Sequence, residues 1–130
     1  MELKNLSVDE KIDLVLNGEY LDELVGDKDP LVRKAVAQEG YGLEILINDP
    51  KPSVRAAVAE QNYGLEILID DKSPMVRAAV ARQNYGISIL IHDKNPKVRE
   101  AAFDEGYYDR DDTDDFEPDD IGFFRSRGLA

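Results

Sequence analysis

The chain has 130 residues, 42% of them apolar, with 28 acidic side chains against 16 Lys and Arg and a formal charge of −12. That length fits one domain able to bury a core, and the absence of cysteine excludes disulfides, thiolate metal sites and thiol catalysis while fitting a reducing compartment. Excess acid opposes direct binding to nucleic acid or anionic lipid, no apolar run approaches the ~18 residues of a membrane span, and Met1-Glu2-Leu3-Lys4-Asn5 carries no export signal, so a cytoplasmic protein is expected.

In chain order, residues 1–28 read as a degenerate capping repeat. Gly18, Leu21, Leu24, Val25 and Asp27 stand 22 residues before Gly40, Leu43, Leu46, Ile47 and Asp49, and Val8 stands where later copies have proline. Residues 29–108 follow as four copies of the same 22-residue unit, without a gap. The first begins Asp29-Pro30-Leu31-Val32-Arg33-Lys34-Ala35-Val36-Ala37, and the others begin at Lys51, Ser73 and Asn95.

Each copy predicts a helix from its proline, whose missing N–H has no intrahelical partner at the first turn. Asp29, Ser73 and Asn95 are the expected N-cap acceptors, and Lys51 cannot serve, so the second copy lacks about 1 kcal/mol of capping. Val54, Ala57 and Val58 mark the i, i+3, i+4 core stripe, with alanines small enough for close helix approach. Gly40, Asn62, Asn84 and Gly106 fit the left-handed position that closes a helix, which puts Tyr41, Tyr63, Tyr85 and Tyr107 one residue on, packed over Val36, Val58, Val80 and Ala102. Gly42, Gly64 and Gly86 then turn the chain into Leu43-Glu44-Ile45-Leu46-Ile47 and its copies, a short second helix, 3₁₀ in part.

In the fourth copy that second helix is lost, because Asp109, Asp111, Asp112 and Thr113 replace its Leu and Ile positions. Residues 109–130 form an acidic segment with an apolar end, Ile121-Gly122-Phe123-Phe124, expected to fold over Ala101, Ala102 and Phe103 as a cap. Charge is segregated: −5 over residues 1–28, zero over 29–103, −9 over 104–120 and +2 over 121–130.

The pattern Asp-x-x-Pro-x-Val-Arg-x-Ala-Val-Ala resembles the short helical repeats of the HEAT-like superfamily, most closely the bacterial leucine-rich repeat variant family. The resemblance spans roughly residues 29–107. It implies an all-α, right-handed solenoid with no shared enzymatic activity.

Two columns carry the charge of the array: Arg33, Arg55, Arg77 and Arg99, and Asp27, Asp49, Asp71 and Asp93. The expected arrangement is a ladder, each Arg bridging to the loop acid of a neighbouring repeat. The alternative is a cationic stripe through Arg55 and Arg77 that grips an acidic partner or a phosphate. His92 is the single histidine and has no second ligand, base or nucleophile at recognisable spacing. Asp109 to Asp115 resembles a calcium loop only loosely, without the Gly and Glu of an EF-hand. No catalytic residue, cofactor or metal is therefore assigned. The expected function is a monomeric, non-catalytic protein-interaction module for a partner with a basic surface. Asp111, Asp112, Asp114, Asp115, Phe116, Phe123 and Phe124 are candidate contacts beside Arg55 and Arg77. The competing expectation is an acidic nucleic-acid mimic, of mobile-element or phage type, that inhibits a DNA-binding enzyme.

Overall fold

The computed structural model describes residues 2–104, and among them the fold is all-helical. A 3₁₀ turn, Leu3–Asn5, precedes long and short helices in strict alternation. The long ones are α1 (Val8–Leu16), α3 (Pro30–Gln38), α5 (Pro52–Glu60), α7 (Pro74–Arg82) and α9 (Pro96–Ala102). Between them lie α2 (Leu21–Leu24), α4 (Leu43–Leu46), α6 (Leu65–Leu68) and α8 (Ile87–Leu90). Each long helix packs on the next, α1 on α3 through to α7 on α9, and each short helix touches the long helices on either side of it in sequence. That order of contacts is a helical-repeat solenoid, a stack in which a unit meets only its neighbours.

Helix starts follow local chemistry with one correction. Asp29 and Asn95 accept from the N–H groups of Leu31 and Lys97, each at 2.8 Å, while Lys51 makes no side-chain cap. Ser73, the third expected acceptor, makes none either. Its backbone, at ψ 126°, matches that of Asn95, where the acceptor reaches the amide two residues on, and a hydroxyl one bond shorter does not span that gap. Serine caps α1 instead, where Ser7 at ψ 165° forms a capping box with Glu10. That box starts the first helix without a proline.

The ends of α3, α5 and α7 have the left-handed closures that the sequence predicts, while Gly106 and Tyr107 lie outside the described residues. Asn62 and Asn84 sit at φ 61°, and Gly40 at φ 77°. At the end of α3 the Gly40 N–H donates to Ala37 and the Tyr41 N–H to Val36, the paired bonds of a Schellman motif. In α4 the Gly42 carbonyl accepts from both Ile45 and Leu46, and Asn48 and Asp49 donate to Ile45 and Leu46. The short helix is thus α at its centre and 3₁₀ at its margins.

The core repeats with the sequence. Val32, Val36, Val54, Val58, Val76, Val80 and Val98 are fully buried, and Leu24, Leu46, Leu68 and Leu90 nearly so. In α5 and α7, flanked on both sides, every residue from Val54 to Ala59 and from Val76 to Ala81 is buried, which only alanine at the contact positions permits. A second close approach fixes the short helices. Gly64 has φ 64°, and a Cβ there would lie 2.3 Å from Ile47 Cδ1; Gly86 meets Ile69 in the same way.

Gly64→Ala should therefore cost about 2 kcal/mol, combining left-handed strain with overpacking, in urea unfolding followed by circular dichroism. Asn62→Gly should be neutral or mildly stabilising, and Asn62→Val should cost about 1 kcal/mol or more.

Candidate interaction surface

The Asp-x-x-Pro loops are the electrostatic centre of the array. Arg55 donates through Nε and Nη2 to the two carboxylate oxygens of Asp71, at 2.9 and 3.0 Å, and through Nη1 to the carbonyl of Asp49 at 2.6 Å. Arg33 does the same with Asp49 and the Asp27 carbonyl, and Arg77 with Asp93 and the Asp71 carbonyl. Each carboxylate also accepts from the backbone N–H two residues on, as Asp71 does from Ser73 at 2.9 Å. One aspartate thus takes the arginine of the helix before it, caps the loop after it and offers its carbonyl to the next arginine.

Sequence reasoning about the arginine column misses the first rung. Lys11 is buried and donates to Asp27 at 2.8 Å, across the same 16-residue separation as the Arg–Asp pairs. Register is the signal: Lys11 stands 22 residues before Arg33. Burial pushes the Asp27 carboxyl up, but hydrogen bonds from Lys11 and the Asp29 N–H outweigh it and hold the group below the ordinary carboxylate value. At Asp93 the hydrogen bond from Arg77 lowers the carboxyl against burial, and at Arg33 the bond to Asp49 raises the guanidinium against burial.

Arg55 and Arg77 are each 7% exposed and commit Nε and both Nη nitrogens to partners within the chain. The structure assembles them as the ladder rather than as an open cationic stripe. Asp111, Asp112, Asp114, Asp115, Phe116, Phe123 and Phe124 lie outside the described residues, as does the Ile121–Phe124 cap. His92 is exposed, and no group of three His, Cys, Asp or Glu among the described residues is placed to hold a metal ion. No described helix is long and apolar enough to cross a membrane.

What the sequence does not reveal is a row of isoleucines in water. Ile45, Ile67 and Ile89 occupy one position of α4, α6 and α8 and are 56, 61 and 64% exposed, although the next residue in each helix is a buried leucine. Single exposed apolar residues are ordinary, whereas three in register form a surface feature. Exposed Glu44 and Glu66 adjoin the row, and in α2 Asp22 stands in their register while Glu23 takes the row's own position. The corresponding outward position of the long helices is mixed, with Leu31, Ser53, Met75 and Lys97, and forms no apolar row. An open groove of about 540 Å³ between α7 and α9, lined by Met75, Ala78, Arg82, Lys97, Glu100 and Asp104 among others, carries both signs of charge.

Residues 43–60, which span α4 and α5, match the HEAT repeat associated with sister chromatid cohesion. No curated protein and no solved structure matches the chain. The family match supports the HEAT-like part of the resemblance over one short helix and the long helix after it.

Arg55→Ala should lower the unfolding free energy by about 3 kcal/mol, because it strips a largely buried carboxylate of its partner, and Arg55→Lys should recover only part, since an ammonium lacks the planar fork that joins two loops. The acid limb gives a second check. A carboxyl with a depressed folded value adds stability that is complete above the unfolded value of about 3.9 and lost as pH falls through the folded one. Asp93→Asn should thus lower the urea midpoint at neutral pH and lose less than the parent protein between about pH 5 and pH 3.

Proposed function

We propose that the chain is a non-catalytic protein-interaction scaffold that docks its partner on the Ile45, Ile67 and Ile89 row. The carrying observation is that row: three large aliphatic side chains in water, repeated at the helix-to-helix spacing of the stack, in an array whose Arg33, Arg55 and Arg77 are turned inward. Adjacent packed helices lie about 8–10 Å apart, so a partner that places successive apolar side chains at that interval would engage all three. Glu44 and Glu66 beside the row, and the −9 charge of residues 104–120, favour a partner with a basic surface. The segment 109–130 then acts through long-range attraction and the described array supplies the contact area. HEAT-like repeats as binding scaffolds agree with this reading, and the match at residues 43–60 supports it.

The test is a charge placed in the row. Ile67→Glu should leave the melting temperature unchanged or slightly higher, because it removes exposed apolar surface. It should weaken a partner captured by the parent protein at least tenfold, the loss expected for one central apolar anchor. Leu31→Ser, on the mixed outer position of α3, should leave the same partner bound. Equal binding by the parent protein and Ile67→Glu would reject the row as the docking surface.

A further inference from the structure

The first unit departs from the later ones at one backbone position. Gly42, Gly64 and Gly86 open α4, α6 and α8 in the left-handed region, and a Cβ at any of them would lie within 2.6 Å of Val25, Ile47 or Ile69 from the unit before. Tyr20 stands in the same register ahead of α2, at φ 59° and ψ 28°. A 3₁₀ turn precedes this unit in place of a short α-helix, and there a side chain is accommodated. Tyrosine rarely adopts that conformation and glycine holds it without strain, so the ring calls for a role of its own.

That ring belongs to a hollow. Gly18, Tyr20, Leu21, Asp22, Glu23 and Tyr41 line an open space of about 300 Å³, near the lower end of ligand pockets and suited to one side chain. Tyr41 is pinned there, because its O–H donates to Asp22 Oδ1. Tyr20 and Tyr41 are 41 and 37% exposed, and exposed Glu23 has no ion pair among the described residues. No lysine or arginine lines the hollow, and residues 1–28 carry a net −5. Two aromatic rings beside two carboxylates attract a cation and repel an anion.

Position ties the hollow to the docking surface. Glu23 takes in α2 the place that Ile45, Ile67 and Ile89 hold in the later short helices, so the hollow is the next step of the same row. We propose that it receives an arginine side chain of the partner docked on that row, with the guanidinium against Tyr20 and Tyr41 and hydrogen-bonded to Glu23. Arginine suits it better than lysine, since a planar guanidinium stacks on a ring and still presents an N–H edge to a carboxylate. The partner thereby acquires a direction, its arginine at the α2 end and its apolar side chains running towards α8. The inference rests on the docking reading for the source of the arginine, while the selectivity of the hollow is measurable without a partner.

The test uses the full chain at low salt, with n-propylguanidinium as the probe and the tyrosine ring signals read by NMR. The probe should shift the Tyr20 and Tyr41 rings saturably and leave Tyr63 and Tyr85 unmoved. Binding of n-propylammonium should be weaker by about threefold or more, and neutral n-propylurea should not saturate. Tyr20→Gly should keep or raise the melting temperature, because glycine suits the left-handed backbone, yet weaken both the probe and a captured partner by about threefold or more. Glu23→Gln should weaken the probe at an unchanged melting temperature. Equal binding of n-propylurea and n-propylguanidinium, equal shifts at all four rings, or undiminished binding by Tyr20→Gly would overturn the proposal. Ile67→Glu separates the two readings. A partner lost by Ile67→Glu, with an unselective hollow, would overturn this inference and leave the docking reading. A partner held equally by Ile67→Glu, with the probe still selective, would overturn the docking reading and leave the hollow as a cation site.

Discussion

A single aspartate per repeat, held between two arginines, is the interaction on which the rest of the array depends. Asp49 shows why: its carboxylate receives Arg33 and the Lys51 N–H, and its carbonyl receives Arg55. Those bonds fix the loop from which Pro52 starts α5, and so fix the angle at which α5 meets α3. The desolvation of each ion is offset because nearly every donor and acceptor finds a partner, the condition under which a largely buried pair is tolerated. Because residues 29–103 carry equal numbers of acids and bases, this network leaves the array neutral.

The hydrophobic contacts supply cohesion and the loops supply geometry. Valine and alanine faces let neighbouring long helices approach closely but do not by themselves specify how far one unit turns on the next. That is decided by contacts with little latitude: the bidentate Arg–Asp rung, and the glycine at the start of α4, α6 and α8, which has no Cβ and so admits Val25, Ile47 or Ile69 from the preceding unit. Lys51 shows how the two sources share the task. The α5 helix lacks a side-chain cap, yet every residue from Val54 to Ala59 is buried and its loop is held by Asp49 and Arg55.

Turning Arg33, Arg55 and Arg77 inward also determines what the surface can offer. The array presents to solvent the residues that neither ladder nor core requires, and on α4, α6 and α8 these include an isoleucine each. That isoleucine row, with Glu44 and Glu66 beside it, is the surface on which the proposed docking rests.

The 22-residue period, the proline starts, the left-handed Asn and Gly closures and the valine core were all legible in the sequence, because each is set within a few residues by backbone sterics or helical periodicity. The pairing of the arginine and aspartate columns could be anticipated as well, since two complementary charges recurring at one period must meet somewhere in a stack. Three features required the tertiary structure. Lys11 belongs to the ladder although its residue type differs, because burial beside Asp27 rather than chemistry alone assigns it there. Ser73 does not cap α7, because the loop angle set by Asp71 leaves the target amide beyond a short hydroxyl. Ile45, Ile67 and Ile89 face water, and a four-residue helix inside an apolar run of five has too few turns for its sequence to reveal which side is buried. Only the packing of each short helix against the long helices on either side of it decides that.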